Sequence, residues 1–131
     1  MQGDYEKTAI KMRAVFLNTT ILTAEGSFHL RKIKEKVAKQ IIDLAEVQLS
    51  AVGHEATAKV MSSILGTEVP VNRIQYEQQV GDVALCFKLK TRLPEGKILN
   101  EEEVKALEYD LFMLLDDVTL TLLQEAFKEQ K

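Results

Sequence analysis

The spacing of apolar residues changes several times along this chain, and each change marks an expected element. Arg13-Ala14-Val15-Phe16-Leu17-Asn18 is a short apolar run that predicts a buried strand. Thr19 to Gly26 reads as a loop with a glycine at its end. Phe28-His29-Leu30-Arg31-Lys32-Ile33 alternates apolar and polar residues and predicts a second strand. From Lys34 the period lengthens. Val37, Ile41, Leu44 and Ala45 recur at helical spacing among Lys34, Glu35, Lys36, Lys39 and Asp43, the pattern of an amphipathic helix with a wet, charged face. Leu49 to Val52 predicts a short strand. Ala56, Val60 and Ile64 follow at helical spacing, and Gly66 ends that helix.

The second half repeats the alternation. Val71 to Gln78 carries β-branched residues and predicts a strand, and Gly81-Asp82 predicts a turn. Val83, Leu85, Phe87 and Leu89 alternate with Ala84, Cys86, Lys88 and Lys90, the clearest strand pattern of all. Leu93-Pro94-Glu95-Gly96-Lys97 breaks it. Asn100 ahead of Glu101, Glu102 and Glu103 is an N-capped helix start with acidic residues in its first turn. Tyr109 to Gln130 fits both periods, and the reading adopted is a strand over Tyr109 to Leu115 followed by a terminal helix. Strands and helices in this order predict a small α/β domain, one mixed sheet covered by helices. Residues 1 to 131 are read as a single domain, with a loose lead-in over 1 to 12 and an additional helical tail over 116 to 131.

Composition narrows the function classes. The chain has 131 residues, 46% hydrophobic and 28% charged, with a net charge of -3. That balance disfavours broad coating of DNA or RNA, which needs many cations on one face, so no duplex DNA is expected as a partner. A local group of arginines can still hold a small anionic ligand. No apolar run is long enough to span a bilayer, and the first residues lack the basic-then-apolar order of a signal peptide. A cytoplasmic location is expected, and the single cysteine, Cys86, agrees with a reducing compartment. Two histidines and one cysteine at scattered spacing make no zinc pattern, so neither metal nor cofactor is expected.

Candidate chemistry centres on Gly53-His54, where an apolar run meets a helix start. Such a start offers free backbone N–H groups and the positive end of a dipole, a seat for phosphate. There His54 is either a capping or packing residue or a general acid able to protonate a departing oxygen, and Gly53 lets a ligand approach the backbone. Arg73 and Arg92 lie at or just beyond expected strands and are either surface arginines or phosphate forks. Glu95 follows Arg92 in a proline turn, where it either orients a neighbour or is exposed. Asn18, Thr19 and Thr20 end the first strand, either as turn residues or as contacts to a base or ribose. His29, in an alternating strand with no partner in view, and Cys86 read as structural.

These pieces together resemble the type III anti-CRISPR ring nucleases of viruses and bacteria. The matching stretches are Leu17-Asn18-Thr19-Thr20-Ile21-Leu22, Gly26-Ser27-Phe28 with Arg31-Lys32-Ile33, and Ala51-Val52-Gly53-His54-Glu55-Ala56-Thr57-Ala58. They continue with Leu65-Gly66-Thr67-Glu68-Val69-Pro70-Val71-Asn72-Arg73-Ile74, Gly81-Asp82, and Arg92-Leu93-Pro94-Glu95-Gly96-Lys97-Ile98-Leu99, across roughly residues 14 to 115. The resemblance implies a homodimer that binds cyclic tetra-adenylate, the messenger of type III CRISPR defence. It also implies metal-independent cleavage to linear di-adenylate ending in a 2′,3′-cyclic phosphate, within a bacterial or archaeal cell. By motif, His54 is the general acid, Arg92 and Glu95 belong to a second active-site motif, and Arg73 contacts ligand. Asn18 matches a polar residue beside the ligand, with Thr19 and Thr20 next to it. A binding protein that sequesters cyclic oligonucleotides, and a small nucleic-acid-binding regulator, are the alternatives.

Overall fold

The computed structural model describes residues 11–90, 93 and 99–129. In chain order these form β1 (Arg13–Leu17), β2 (Phe28–Ile33), α1 (Glu35–Leu44), β3 (Val47–Ser50) and α2 (Glu55–Leu65). β4 (Asp82–Leu89), α3 (Glu101–Lys105), β5 (Tyr109–Asp116) and α4 (Asp117–Glu129) complete the set. Among the described residues the sheet runs in the order β2-β5-β4-β1-β3. β1 lies parallel to both β3 and β4, whereas β5 runs antiparallel to β4 and β2. The expected mixed α/β sheet is therefore what the chain forms.

Strand position explains which strands read clearly. β1 and β4 are central, so both their faces need apolar cover. Ala14 through Leu17 are buried without a break, and so are Asp82 through Phe87. One face collects Ala14, Phe16, Val83, Leu85, Phe87, Leu111, Met113 and Leu115, and all four helices pack there through residues such as Ile41, Met61, Val104 and Leu123. The other face carries Val15, Leu17, Ala84, Cys86 and Leu114, with Tyr76 and Ala51 laid over it. Burial pushes the Cys86 thiol up to about 12, in keeping with a structural role.

Local chemistry ends and starts the helices as expected. Gly66 takes a left-handed φ of 70°, and its N–H donates to the Ser62 carbonyl to close α2. The Asn100 side chain accepts from the Glu103 N–H at 2.8 Å, and Glu103 returns a bond to the Asn100 N–H at 3.2 Å, a reciprocal cap for α3.

Three expectations are corrected. Residues 71–78 form no strand. After Pro70 their N–H groups find separate partners instead of a ladder: Asn72 donates to the Val52 carbonyl and Gln78 to Thr23 Oγ1. β3 starts at Val47 rather than Leu49 and ends at Ser50, because the next free N–H, that of Val52, turns back to Ser50 Oγ. β2, by contrast, forms where expected, as an edge strand whose alternation buries little, with Leu30 51% exposed. His29, read as lacking a partner, meets the Asp117 carboxylate at the start of α4.

One buried carboxylate ties the sheet to the 70–80 segment. Asp82 accepts both arms of the Arg13 fork at 2.8 Å, the Tyr76 hydroxyl at 2.6 Å and the Gln79 N–H at 3.0 Å. Asp82→Ala is expected to cost about 3 kcal/mol, since it strips the partner from a part-buried guanidinium. Tyr76→Phe should cost about 1 kcal/mol. Burial and then the Asp82 bond hold the Tyr76 phenol above its ordinary value. The folded chain thus keeps a proton that the unfolded chain releases near pH 10, and stability falls as pH rises past about 10. Urea unfolding of both variants across alkaline pH checks this. An Asp82→Ala protein as stable as its parent, or a Tyr76→Phe protein with the parental alkaline slope, contradicts it.

Candidate functional site

The turn from β3 into α2 is held by its own polar residues. Ser50, buried at the end of β3, donates from Oγ to the Pro70 carbonyl at 2.6 Å and accepts from the Val52 N–H at 3.2 Å. Asn72 answers with its side chain to the Ser50 carbonyl at 2.7 Å and its backbone N–H to the Val52 carbonyl at 2.8 Å. These bonds lay residues 70–73 along residues 50–53. Arg73 is thereby brought to Gly53, and its Nε donates to the Gly53 carbonyl at 2.9 Å. A Cβ at Gly53 would lie 3.3 Å from Arg73 Cγ, so the close approach that glycine permits here is that of an arginine side chain.

His54 follows at the N-cap position of α2. Its backbone is extended, and its carbonyl accepts from the Ala58 N–H at 2.9 Å. The imidazole is exposed and caps nothing, and no hydrogen bond or ion pair to it occurs among the described residues. Arg73 is likewise exposed, and no carboxylate among the described residues pairs with it. Arg73 is anchored through Nε to the carbonyl of Gly53, the residue before His54, and the N–H groups of a helix start follow; each of these groups is of a kind suited to an anion.

Beside this turn a cleft of about 750 Å³ opens at the ends of β1 and β3, lined by Asn18, Thr19, Ala51, Ile74, Tyr76 and Glu77 among others. Ligands of open α/β sheets gather outside the carboxyl ends of parallel strands, and this is such a place. Asn18 and Thr19 line the cleft, and Thr20 does not. Ala51 and Ile74 in its wall are chain neighbours of the Gly53-His54 turn and of Arg73. Arg92 and Glu95 lie outside the described residues. Sequence reading missed Ser50, Asn72, Tyr76 and Asp82, which build the support. Asn72 had a signal in retrospect, a turn-forming polar residue two places after a proline.

With this geometry in view, similarity to known proteins is decisive for the family. Residues 14–111 match the STIV B116-like family profile. The chain belongs to the STIV B116-like family. It is 38% identical over 103 residues to the ORF117 protein of Acidianus two-tailed virus, covering 75% of this chain and 88% of that protein. It is 28% identical over 104 residues to YddF of Bacillus subtilis strain 168, covering 79% of this chain and 96% of that protein. In three dimensions it resembles B116 of Sulfolobus turreted icosahedral virus, with a TM-score of 0.61, 22% identity, and coverage of 79% of this chain and 98% of that one. That likeness is one of fold. The family's matched span runs from β1 to the start of β5 and so includes the turn at His54 and the arm bearing Arg73. Among the described residues no helix is long and apolar enough to cross a membrane.

Removing the Ser50 hydroxyl should loosen the whole arm. Ser50→Ala strands the Pro70 carbonyl and the Val52 N–H in a part-buried setting, at a cost of about 2 kcal/mol. Amide exchange at Val69, Asn72 and Val52 is expected to accelerate before global unfolding does. Uniform protection in the variant, equal to that of the parent, would show that the arm is held by something else.

Proposed function

We propose that this protein is a ring nuclease that opens cyclic tetra-adenylate into linear di-adenylate ending in a 2′,3′-cyclic phosphate, so silencing type III CRISPR signalling. The single observation that supports this most is the His54 imidazole: at a helix start, uncapped, exposed, and next to an arginine that has no carboxylate partner among the described residues. An imidazole confined to capping or packing would be bonded or buried.

RNA carries its own nucleophile in the ribose 2′-hydroxyl. Attack on the adjacent phosphorus forms the bond from O2′ to phosphorus, releases the O2′ proton to water, and breaks the bond from phosphorus to O5′. Three things are needed: alignment, neutralisation of the phosphate charge, and a proton for the leaving O5′. His54 as imidazolium supplies that proton, Arg73 and the α2 N–H groups meet the phosphate, and Asn18 and Thr19 meet a base or ribose. Arg92 and Glu95, from the second motif of the resemblance, complete the proposed catalytic set. This scheme assigns no step to a metal or to a protein nucleophile. A four-nucleotide ring has a two-fold axis available to it, and a two-fold homodimer presents two copies of His54 to opposite phosphates. Cutting both gives two identical dinucleotides.

Incubation with labelled cyclic tetra-adenylate in EDTA tests the reading. The parent is expected to yield di-adenylate, and His54→Ala to slow cleavage about a hundredfold or more with ring binding retained. A His54→Ala protein that opens the ring at the parental rate ends the proposal. A parent that binds the ring and leaves it intact makes the protein a sequestering module instead.

A further inference from the structure

Three lysines converge on one carboxylate at the same end of the sheet. Lys32 Nζ lies 3.0 Å and Lys90 Nζ 3.8 Å from Asp110 Oδ1. Lys88 stands opposite Asp110 in the β4–β5 register. Asp110 is held below the ordinary carboxylate range, first by its bond to Lys32 and then, against partial burial, by the charges of Lys32, Lys90 and Lys88. One negative charge against three positive ones leaves an excess within this group, on a chain whose net charge is -3. Lys32 and Lys90 are 63% and 52% exposed, so their ammonium groups reach solvent.

A lysine on an edge strand blocks unwanted strand pairing, which accounts for Lys32 on β2. Lys88 and Lys90 are not on an edge strand: Lys88 is in β4, opposite Asp110 of β5 and two positions past the last β1 pairing, Leu17 with Cys86, and Lys90 follows directly after that strand. These two share a face, with Cα atoms about 6.8 Å apart, on the scale of one phosphate to the next along a nucleotide chain. The group also adjoins the cleft. Leu17 lines the cleft and pairs with Cys86, and Lys88 is two positions further along the same face. Strand spacing and rise put the Lys88 Cα about 8 Å from that of Leu17.

We infer that Lys32, Lys88 and Lys90 form a docking patch for the phosphodiester backbone of an oligonucleotide, continuous with the cleft beside His54 and Arg73. The inference rests on the proposed reading in taking phosphate as the ligand's charge, but the docking it describes requires no cut. The patch contributes long-range attraction and backbone contacts. It leaves the proton transfer to His54, and Asp110 keeps the three ammonium groups together against their mutual repulsion.

Anisotropy of a short labelled linear oligoadenylate, measured from about 50 to 200 mM salt, counts phosphate contacts through the salt slope. Combining Lys32→Gln, Lys88→Gln and Lys90→Gln should flatten that slope by about two and weaken low-salt binding about tenfold or more. Asp110→Asn removes the competing carboxylate and is expected to bind the same probe more tightly, a gain that misfolding does not mimic. A triple variant with the parental slope, or a parent that binds no oligoadenylate, overturns the patch whatever the ring assay reads. An intact ring together with a lysine-dependent slope retires the cleavage reading and keeps the patch.

Discussion

The Asp82 carboxylate is the constraint on which the site depends. It sits at the first residue of a central strand, and it gathers Arg13 from the neighbouring strand together with Tyr76 and Gln79 from the long connection. That connection has no ladder of its own to hold it. Its far end is stapled to Ser50 and Val52 and its near end to Asp82, and between the two staples it carries Arg73 and the wall of the cleft. An ion buried this deeply is tolerable only because every approach to it is a donor. The same saturation makes it a rigid post. Arg73 can be positioned by a loop because both ends of that loop are fixed to the sheet.

Elements governed by neighbouring residues were legible in the sequence. The helix stop at Gly66, the reciprocal cap of Asn100 with Glu103 and the continuous apolar run of β1 are all local. Residues 71–78 were misread for the opposite reason. Their β-branched content suits a strand, but their hydrogen-bond partners, Val52 and Thr23, belong to other parts of the chain. Asp82 looked like the second residue of a turn, and nothing near it in sequence announces Arg13. In the site, the pairing of Gly53 with His54 was visible from pattern, and Arg73 was a candidate by residue type. That Arg73 reaches Gly53 depends on Ser50 and Asn72, whose roles appear only when the two segments lie side by side.

The two faces of the sheet divide the work. The four helices of the described residues pack on one face and build the larger core, and irregular chain around Ala51 and Tyr76 lies over the other. Irregular chain leaves backbone and side-chain groups available that a helix would consume internally. Among the described residues the cleft, the arginine arm and the lysine group lie around the face without helices and at the strand ends, and Tyr76 serves both there, lining the cleft and bonding Asp82.

β1 has a further consequence, for the order of assembly. Both of its neighbours come from later in the chain, and its side-chain link to Asp82 spans 69 residues. The strand can pair with β3 once Ser50 is made, but its other edge waits, apolar and open, until translation has passed Leu89. Pairing at such separations slows folding and lengthens exposure to aggregation. A ribosome-bound fragment that stops short of β4 would leave that edge open, a natural target for a chaperone.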